Sequence, residues 1–247
     1  MLIEISDNLY DKLTTTEKIV FDYINDNEEK LVNMSIVEVA DETYTSIATV
    51  SRCIKKCGLN GFSELRYKIL NNTKGNVEYK AINNILEKSL IEVKKTIENI
   101  SVKDIVDAIK IIQNSKRIYI LARGLSELVA SEFDLKLKIL GYNSFFITDP
   151  KIMENISTEI KSNECVLIFS LRGKTSEIVN SVVTAKDRGC KIISCCCEKN
   201  SKLSKLSDVA LIGVKHKKIS IKKYEVTSRI PLQVISRAII DYLIINN

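Results

Sequence analysis

From Ser101 onward the chain repeats one alternation: a short β-branched run, then a stretch of helically spaced apolar residues. The runs are Arg117-Ile-Tyr-Ile-Leu121, Ser144-Phe-Phe-Ile-Thr148, Cys165-Val-Leu-Ile-Phe169, Lys191-Ile-Ile-Ser-Cys195 and Asp208-Val-Ala-Leu-Ile212. Strands this short and apolar need cover on both faces, and the intervening helices supply it. The pattern predicts a doubly wound α/β domain with a mainly five-stranded parallel sheet.

The third run leads directly into Ser170-Leu-Arg-Gly-Lys-Thr-Ser-Glu177 and then a helical pattern from Ile178 to Ala185. A strand that stops in a hydroxyl- and glycine-bearing loop and restarts as a helix makes an anion cradle. The helix start offers free N–H groups and a positive dipole end, Gly173 permits close backbone approach, and Ser170 and Thr175 add hydroxyls. Such a loop can hold a phosphate.

Before Asn71-Asn-Thr-Lys-Gly-Asn76 the apolar spacing is helical throughout. This polar stretch reads as a boundary. The expected division is an all-α domain over 1–75, a Lys- and Glu-rich helical connector over 76–100, and the α/β domain over 101–247. Within the first, Ser35-Ile-Val-Glu-Val-Ala-Asp-Glu-Thr43 forms a short helix with Ser35 as N-cap and Glu38 closing a capping box. Ser46 caps a second helix, with Ile47, Val50, Ile54 and Cys57 on its apolar face and Gly58 as its stop. Thr49, Arg52, Lys55 and Lys56 fall on the opposite side. Two short helices around a tight turn, the second basic, describe a helix-turn-helix. Ser46 and Thr49 would lie near base edges, and Arg52, Lys55 and Lys56 could reach phosphates or guanines. A packed helical hairpin with a solvated basic face has the same pattern.

Charge supports a local patch. Residues 1–45 hold eleven acids against three lysines, whereas residues 46–75 hold Arg52, Lys55, Lys56, Arg66, Lys68 and Lys74 against Glu64 alone. A positive block behind an acidic one differs from general polyanion affinity. No apolar run approaches the ~18–20 residues of a membrane span, and the N-terminus lacks a signal-peptide pattern. The expected location is cytoplasmic. The seven cysteines have only His216 as a possible histidine partner. Reduced core residues are therefore expected, with neither metal nor cofactor.

The N-terminal segments Leu13-Thr-Thr-Thr-Glu17, Met34-Ser-Ile-Val-Glu-Val-Ala40, Ser46-Ile-Ala-Thr-Val50, Arg52 and Gly58-Leu-Asn-Gly-Phe-Ser-Glu-Leu65 resemble RpiR-type transcriptional regulators. Ile47 stands where that family often has proline at the first helical position. The family joins this domain to a sugar isomerase (SIS) domain. Asp187-Arg-Gly-Cys-Lys-Ile-Ile193, Ser201-Lys-Leu-Ser-Lys-Leu-Ser-Asp208 and Thr227-Ser-Arg-Ile230 with Leu232-Gln233 are similar to segments of that domain.

The resemblance implies that two loops hold the phosphate of a phosphosugar, G-x-G-x-S after the first strand and S-x-S-G-x-T after the third. Here the first reads Ala122-Arg-Gly-Leu-Ser126, keeping Gly124 and Ser126 without the first glycine. The second keeps Ser170, Gly173 and Thr175, with Arg172 in place of the middle serine. Arg172 could grip the phosphate bidentately, with Arg123 adding positive potential. It could instead pair with Glu127 or Glu177 and fill the phosphate's place.

The resulting expectation is a DNA-binding regulator of carbohydrate metabolism that senses a phosphorylated sugar or amino sugar and self-associates through its SIS domain. A regulator whose SIS fold serves only dimerisation is the alternative. A phosphosugar isomerase would need a tuned acid/base pair. His216 sits in the basic run Lys215-His-Lys-Lys218, and Glu127, Glu177 and Glu225 are the other candidates; no catalytic residue is assigned.

Overall fold

The computed structural model describes Ile3 and residues 5–72, 77–216 and 219–246. The chain divides into two compact units, Met1–Lys88 and Ser89–Asn247. Residues 73–76 of the polar boundary stretch, including Lys74, lie outside the described residues, as do Lys217 and Lys218.

The first unit is helical: α1 (Asp7–Asp11), α2 (Thr15–Asp26), α3 (Glu28–Leu31), α4 (Ile36–Glu42), α5 (Ile47–Lys56), α6 (Phe62–Asn72) and the start of α7 (Val77–Asn99). Local signals set the boundaries. The Ser35 hydroxyl accepts from Glu38 N at 3.2 Å, and the Glu38 carboxylate accepts from Ser35 N at 2.6 Å. Thr14 and Glu17 make the same reciprocal box at the start of α2, and each such cap contributes ~1 kcal/mol. Gly58 ends α5 with φ +86°, a conformation that suits glycine. Val20, Phe21 and Ile24 of α2 share a core with Val39 and Ala40 of α4, Val50, Cys53 and Ile54 of α5, and Leu65 and Ile69 of α6.

The second unit contains α8 (Val102–Asn114), β1 (Ile118–Ala122), α9 (Ser126–Ile139), β2 (Ser144–Ile147), α10 (Pro150–Glu159) and β3 (Cys165–Phe169). It continues with α11 (Ser176–Asp187), β4 (Lys191–Cys196), α12 (Lys202–Leu206), β5 (Val209–Ile212), β6 (Ser220–Ile221), β7 (Tyr224–Glu225) and α13 (Ile230–Ile245). Strands β1 to β5 form one all-parallel sheet in the order β2-β1-β3-β4-β5. The doubly wound expectation holds. Strand residues alternate between two cores: Ile118, Ile120, Leu167 and Phe169 pack under α8, α9 and α13, whereas Tyr119, Leu121, Val166 and Ile168 pack under α10, α11 and α12. This is the period-two alternation of a sheet buried on both faces. The antiparallel pair β6–β7 has no counterpart in the sequence reading, because two-residue strands carry no periodicity.

The end of α7 is fastened by polar contacts. Thr96 Oγ1 accepts from Val214 N at 3.0 Å, and a Glu92 carboxylate oxygen accepts from His216 N at 3.0 Å. Both side chains are buried, and each supplies an acceptor to a partly buried loop amide.

Candidate functional site

In the first unit, α4 and α5 are joined by a tight turn. Thr45 N donates to Ala40 O at 2.9 Å, Thr43 Oγ1 donates to Val39 O at 2.7 Å, and Tyr44 takes φ +51° with its ring 96% exposed. The Ser46 hydroxyl caps α5 by accepting from Thr49 N at 3.1 Å.

The sequence assignment of faces needs correction. Ile47 is 47% exposed, while Thr49 and Cys53 are buried with Val50 and Ile54. The buried stripe is set by where α2 and α4 cover α5, and Ile47 precedes that cover. Thr49 turns inward and shares a 2.9 Å hydroxyl contact with Ser46. Lys56 bonds the buried Glu17 at 2.7 Å, and Arg66 donates to Met34 O at 2.6 Å. Part of the basic block is thus used inside the domain. The outward face carries Ser46, Ile47, Ala48, Arg52 and Lys55, with Tyr44 at its edge.

In the second unit, β1 is hydrogen-bonded to both β2 and β3, and chain order reverses there. The last register pair of β1 and β3 is Ala122 with Phe169. The loops beginning at Arg123 and Ser170 therefore leave the sheet side by side. Doubly wound sheets bind ligands at this switch point, outside the carboxyl ends of the strands.

Each loop has one left-handed glycine, Gly124 at φ +61° and Gly173 at φ +59°. A Cβ at Gly173 would lie 2.3 Å from Ser201 Oγ. Ser126 and Ser170 are buried at the loop ends. Thr175 occupies the N-cap position of α11, yet its side chain makes no cap bond. Among the described residues its hydroxyl has no hydrogen-bond partner, which leaves it available to a ligand.

The carboxylates near these loops are engaged. A Glu127 oxygen accepts from Gly124 N at 2.8 Å and lies 4.0 Å from Arg123. Glu177 accepts from the Ser176 hydroxyl at 2.9 Å, and backbone and hydroxyl hydrogen bonds hold its carboxyl below the ordinary value. Arg123 donates to Thr148 O at 2.6 Å. Arg172 pairs with Glu225 at 2.8 Å.

The SIS domain family matches residues 111–239, and the rpiR-family helix-turn-helix domain matches residues 1–74. The chain belongs to the RpiR family. An uncharacterized HTH-type transcriptional regulator of Clostridium perfringens is 27% identical over 85% of this chain and 80% of its own length. Among solved structures, the Vibrio vulnificus NanR protein complexed with ManNAc-6P aligns at TM-score 0.62 and 19% identity, covering 99% of this chain and 91% of that one. The sugar isomerase domain of an RpiR transcription factor from Sphaerobacter thermophilus aligns at TM-score 0.61 and 13% identity, over 66% of this chain and 89% of that one. At these identities the two structures establish the fold.

Against the RpiR pattern, the two departures have different settings. Ala122 is fully buried as the last residue of β1. Arg172 turns to Glu225, a partner that neither alternative for this residue included. Glu225, in the sequence a candidate base only, is brought to Arg172 by β7, and no local pattern signals that pairing. All seven cysteines are free. Burial pushes the Cys165, Cys190 and Cys197 thiols up to about 12, which keeps them protonated near neutrality. Among the described residues, no helix is long and apolar enough to cross a membrane.

Proposed function

We propose that this RpiR protein is a cytoplasmic transcription factor whose SIS domain binds a phosphorylated sugar or amino sugar, with Gly124, Ser126, Ser170, Arg172, Gly173 and Thr175 forming the ligand loops. The observation that carries this reading is the meeting of the loops after β1 and β3 at the switch point of the sheet, with the Thr175 hydroxyl uncommitted at the start of α11. The ManNAc-6P complex of a protein with the same fold supports it. Ser170→Ala and Thr175→Ala should each cost ~1.5–3 kcal/mol in affinity for a sugar phosphate, the range for hydrogen bonds to charged groups. Calorimetry with ManNAc-6P, glucosamine 6-phosphate and glucose 6-phosphate checks this; no heat with a broad panel of sugar phosphates would remove the sensing role.

The DNA-binding element in this proposal is α5. Arg52 and Lys55 point outward, Ser46 borders the exposed face, and Lys56 and Thr49 contribute through the domain's own structure. Arg52→Ala should weaken binding to a duplex selected by the protein from a random library by ~1–3 kcal/mol if the guanidinium reads a guanine. Sugar phosphate affinity should stay unchanged. A gel shift equal to wild type would take this helix off the DNA.

The functional division is 1–75 for DNA binding, 76–100 as connector and 101–247 as sensor. Two copies joined through the SIS domain would present two α5 helices to a palindromic operator. The fastening of α7 by Glu92 and Thr96 to the Val214–His216 loop supports coupling of the connector to the sensor. A ligand then acts only if it prefers one arrangement of this coupling over the other.

Sensing fits better than catalysis. Glu127, Glu177 and Glu225 are committed to a loop amide, a hydroxyl and a guanidinium. A general base must have its carboxylate free to take a proton from the substrate. A turnover assay over ketose and aldose phosphates should give no product.

A further inference from the structure

The salt bridge between Arg172 and Glu225 joins the second ligand loop to the β6–β7 hairpin. Its partners differ in setting, with the Arg172 side chain 54% exposed and that of Glu225 only 16%. A second guanidinium, Arg229, neighbours both. Burial draws its pKa down, Glu225 pushes it back up, and Arg172 adds to the fall. Arg229 donates to Thr227 O, and its buried Nε has no hydrogen-bond partner among the described residues. One carboxylate therefore sits among two guanidinium groups, leaving an excess of positive charge and an unused donor.

The hairpin that carries Glu225 is lightly held. β6 and β7 are two residues each. Ile219 N donates to the buried Thr227 hydroxyl at 3.1 Å, and Val226 N donates to Ile219 O at 2.9 Å. Ile221 and Tyr224 are exposed. Moving Glu225 away from Arg172 thus displaces little packed surface.

We propose that Glu225 is an internal competitor for Arg172 that sets the charge class of the effector, so that a dianionic phosphate displaces it and a monoanionic sugar acid does not. This rests on the reading of the Ser170–Thr175 loop as an anion site. Glu225 offers one negative charge and two acceptor oxygens, already desolvated and tethered. An incoming carboxylate offers the same group and must also give up its hydration and its freedom, so it gains nothing by exchange. A phosphate monoester carries close to two charges at neutral pH and three acceptor oxygens. It can engage Arg172 and still use the α11 N-terminus and Thr175. The arginine in place of the family's serine then strengthens the site only for ligands able to outcompete Glu225.

The test is calorimetry at neutral pH on the full chain, with ManNAc-6P and gluconate as probes, for wild type, Glu225→Gln, Arg172→Ser and the double variant. Thermal melts confirm that each variant is folded. Glu225→Gln should bind ManNAc-6P about tenfold tighter, equivalent to ~1.4 kcal/mol, and should acquire measurable gluconate binding. In the Arg172→Ser background, Glu225→Gln should change neither. Equal or weaker ManNAc-6P binding by Glu225→Gln overturns the competitor role while leaving the phosphate site intact. The same tightening in the Arg172→Ser background also overturns it, because the effect would not pass through Arg172. If neither probe nor any other sugar phosphate binds any folded variant, the anion-site reading itself fails, and the competitor with it.

Discussion

Gly173→Ala is expected to abolish effector binding and to lower the stability of the SIS domain by ~2–5 kcal/mol. Two costs add. Gly173 has φ +59°, and an alanine held in that region costs ~1–2 kcal/mol. The new Cβ would also lie 2.3 Å from Ser201 Oγ and 2.7 Å from Ser201 Cβ. Ser201 cannot easily retreat: it is buried, and its hydroxyl caps α12 by accepting from Ser204 N at 3.1 Å. Overpacking of this kind costs ~1–3 kcal/mol. Urea denaturation measures the sum, and Gly173→Ala with Ser201→Gly separates the parts. The double variant should recover the steric share and retain the backbone share. A single variant within ~0.5 kcal/mol of wild type, the range of ordinary surface changes, would mean that the loop is free to rearrange and is not a preformed cradle.

Glu17→Ala is expected to destabilise the helical unit by ~2–3 kcal/mol and to weaken DNA binding with it. Glu17 closes the capping box of α2 through Thr14 N at 2.8 Å and holds Lys56 of α5 at 2.7 Å. The cap contributes ~1 kcal/mol. A hydrogen bond to a charged group contributes ~1.5–3 kcal/mol, taken near its lower end because Lys56 is partly exposed and screened. Burial raises the Glu17 pKa, but the hydrogen bonds from Lys56 and Thr14 outweigh it and hold the carboxyl below its ordinary value of 4.5. The contribution is therefore present above that value and is lost as pH falls through the lower, folded-state pKa. Glu17→Gln should flatten this acid limb, and urea melts between pH 7 and the acid range would show it. An acid limb as steep in Glu17→Gln as in wild type would assign the titration elsewhere.

How much could be read in advance depended on the range of the interaction. The capping box at Ser35 and Glu38, the Ser46 cap and the Gly58 stop are contacts within three or four residues, so sequence order nearly specifies them. The central strands β1, β3 and β4 were legible because burial on both faces leaves an almost unbroken apolar run, and the half-exposed edge strands β2 and β5 by their shorter apolar runs between helical stretches. The inward turn of Thr49 was not legible, because a ten-residue helix has several stripes compatible with one pattern and its neighbours choose among them. Lys56 read as a free cation because Glu17 lies 39 positions away.

The ligand loops show the same division. Ser126, Ser170, Gly173 and Thr175 could be named from local spacing and family resemblance, since a strand–loop–helix cradle is built by consecutive residues. The sequence by itself determined the two domain types, the parallel sheet and the loops that could hold an anion. Only the tertiary structure placed those loops side by side, through the pairing of β1 with β3, and only it gave Arg172 the partner Glu225. Backbone periodicity is a local property that each segment carries with it. The choice of ion-pair partner depends on which distant segments the sheet order brings within a few ångströms, and no local pattern encodes that.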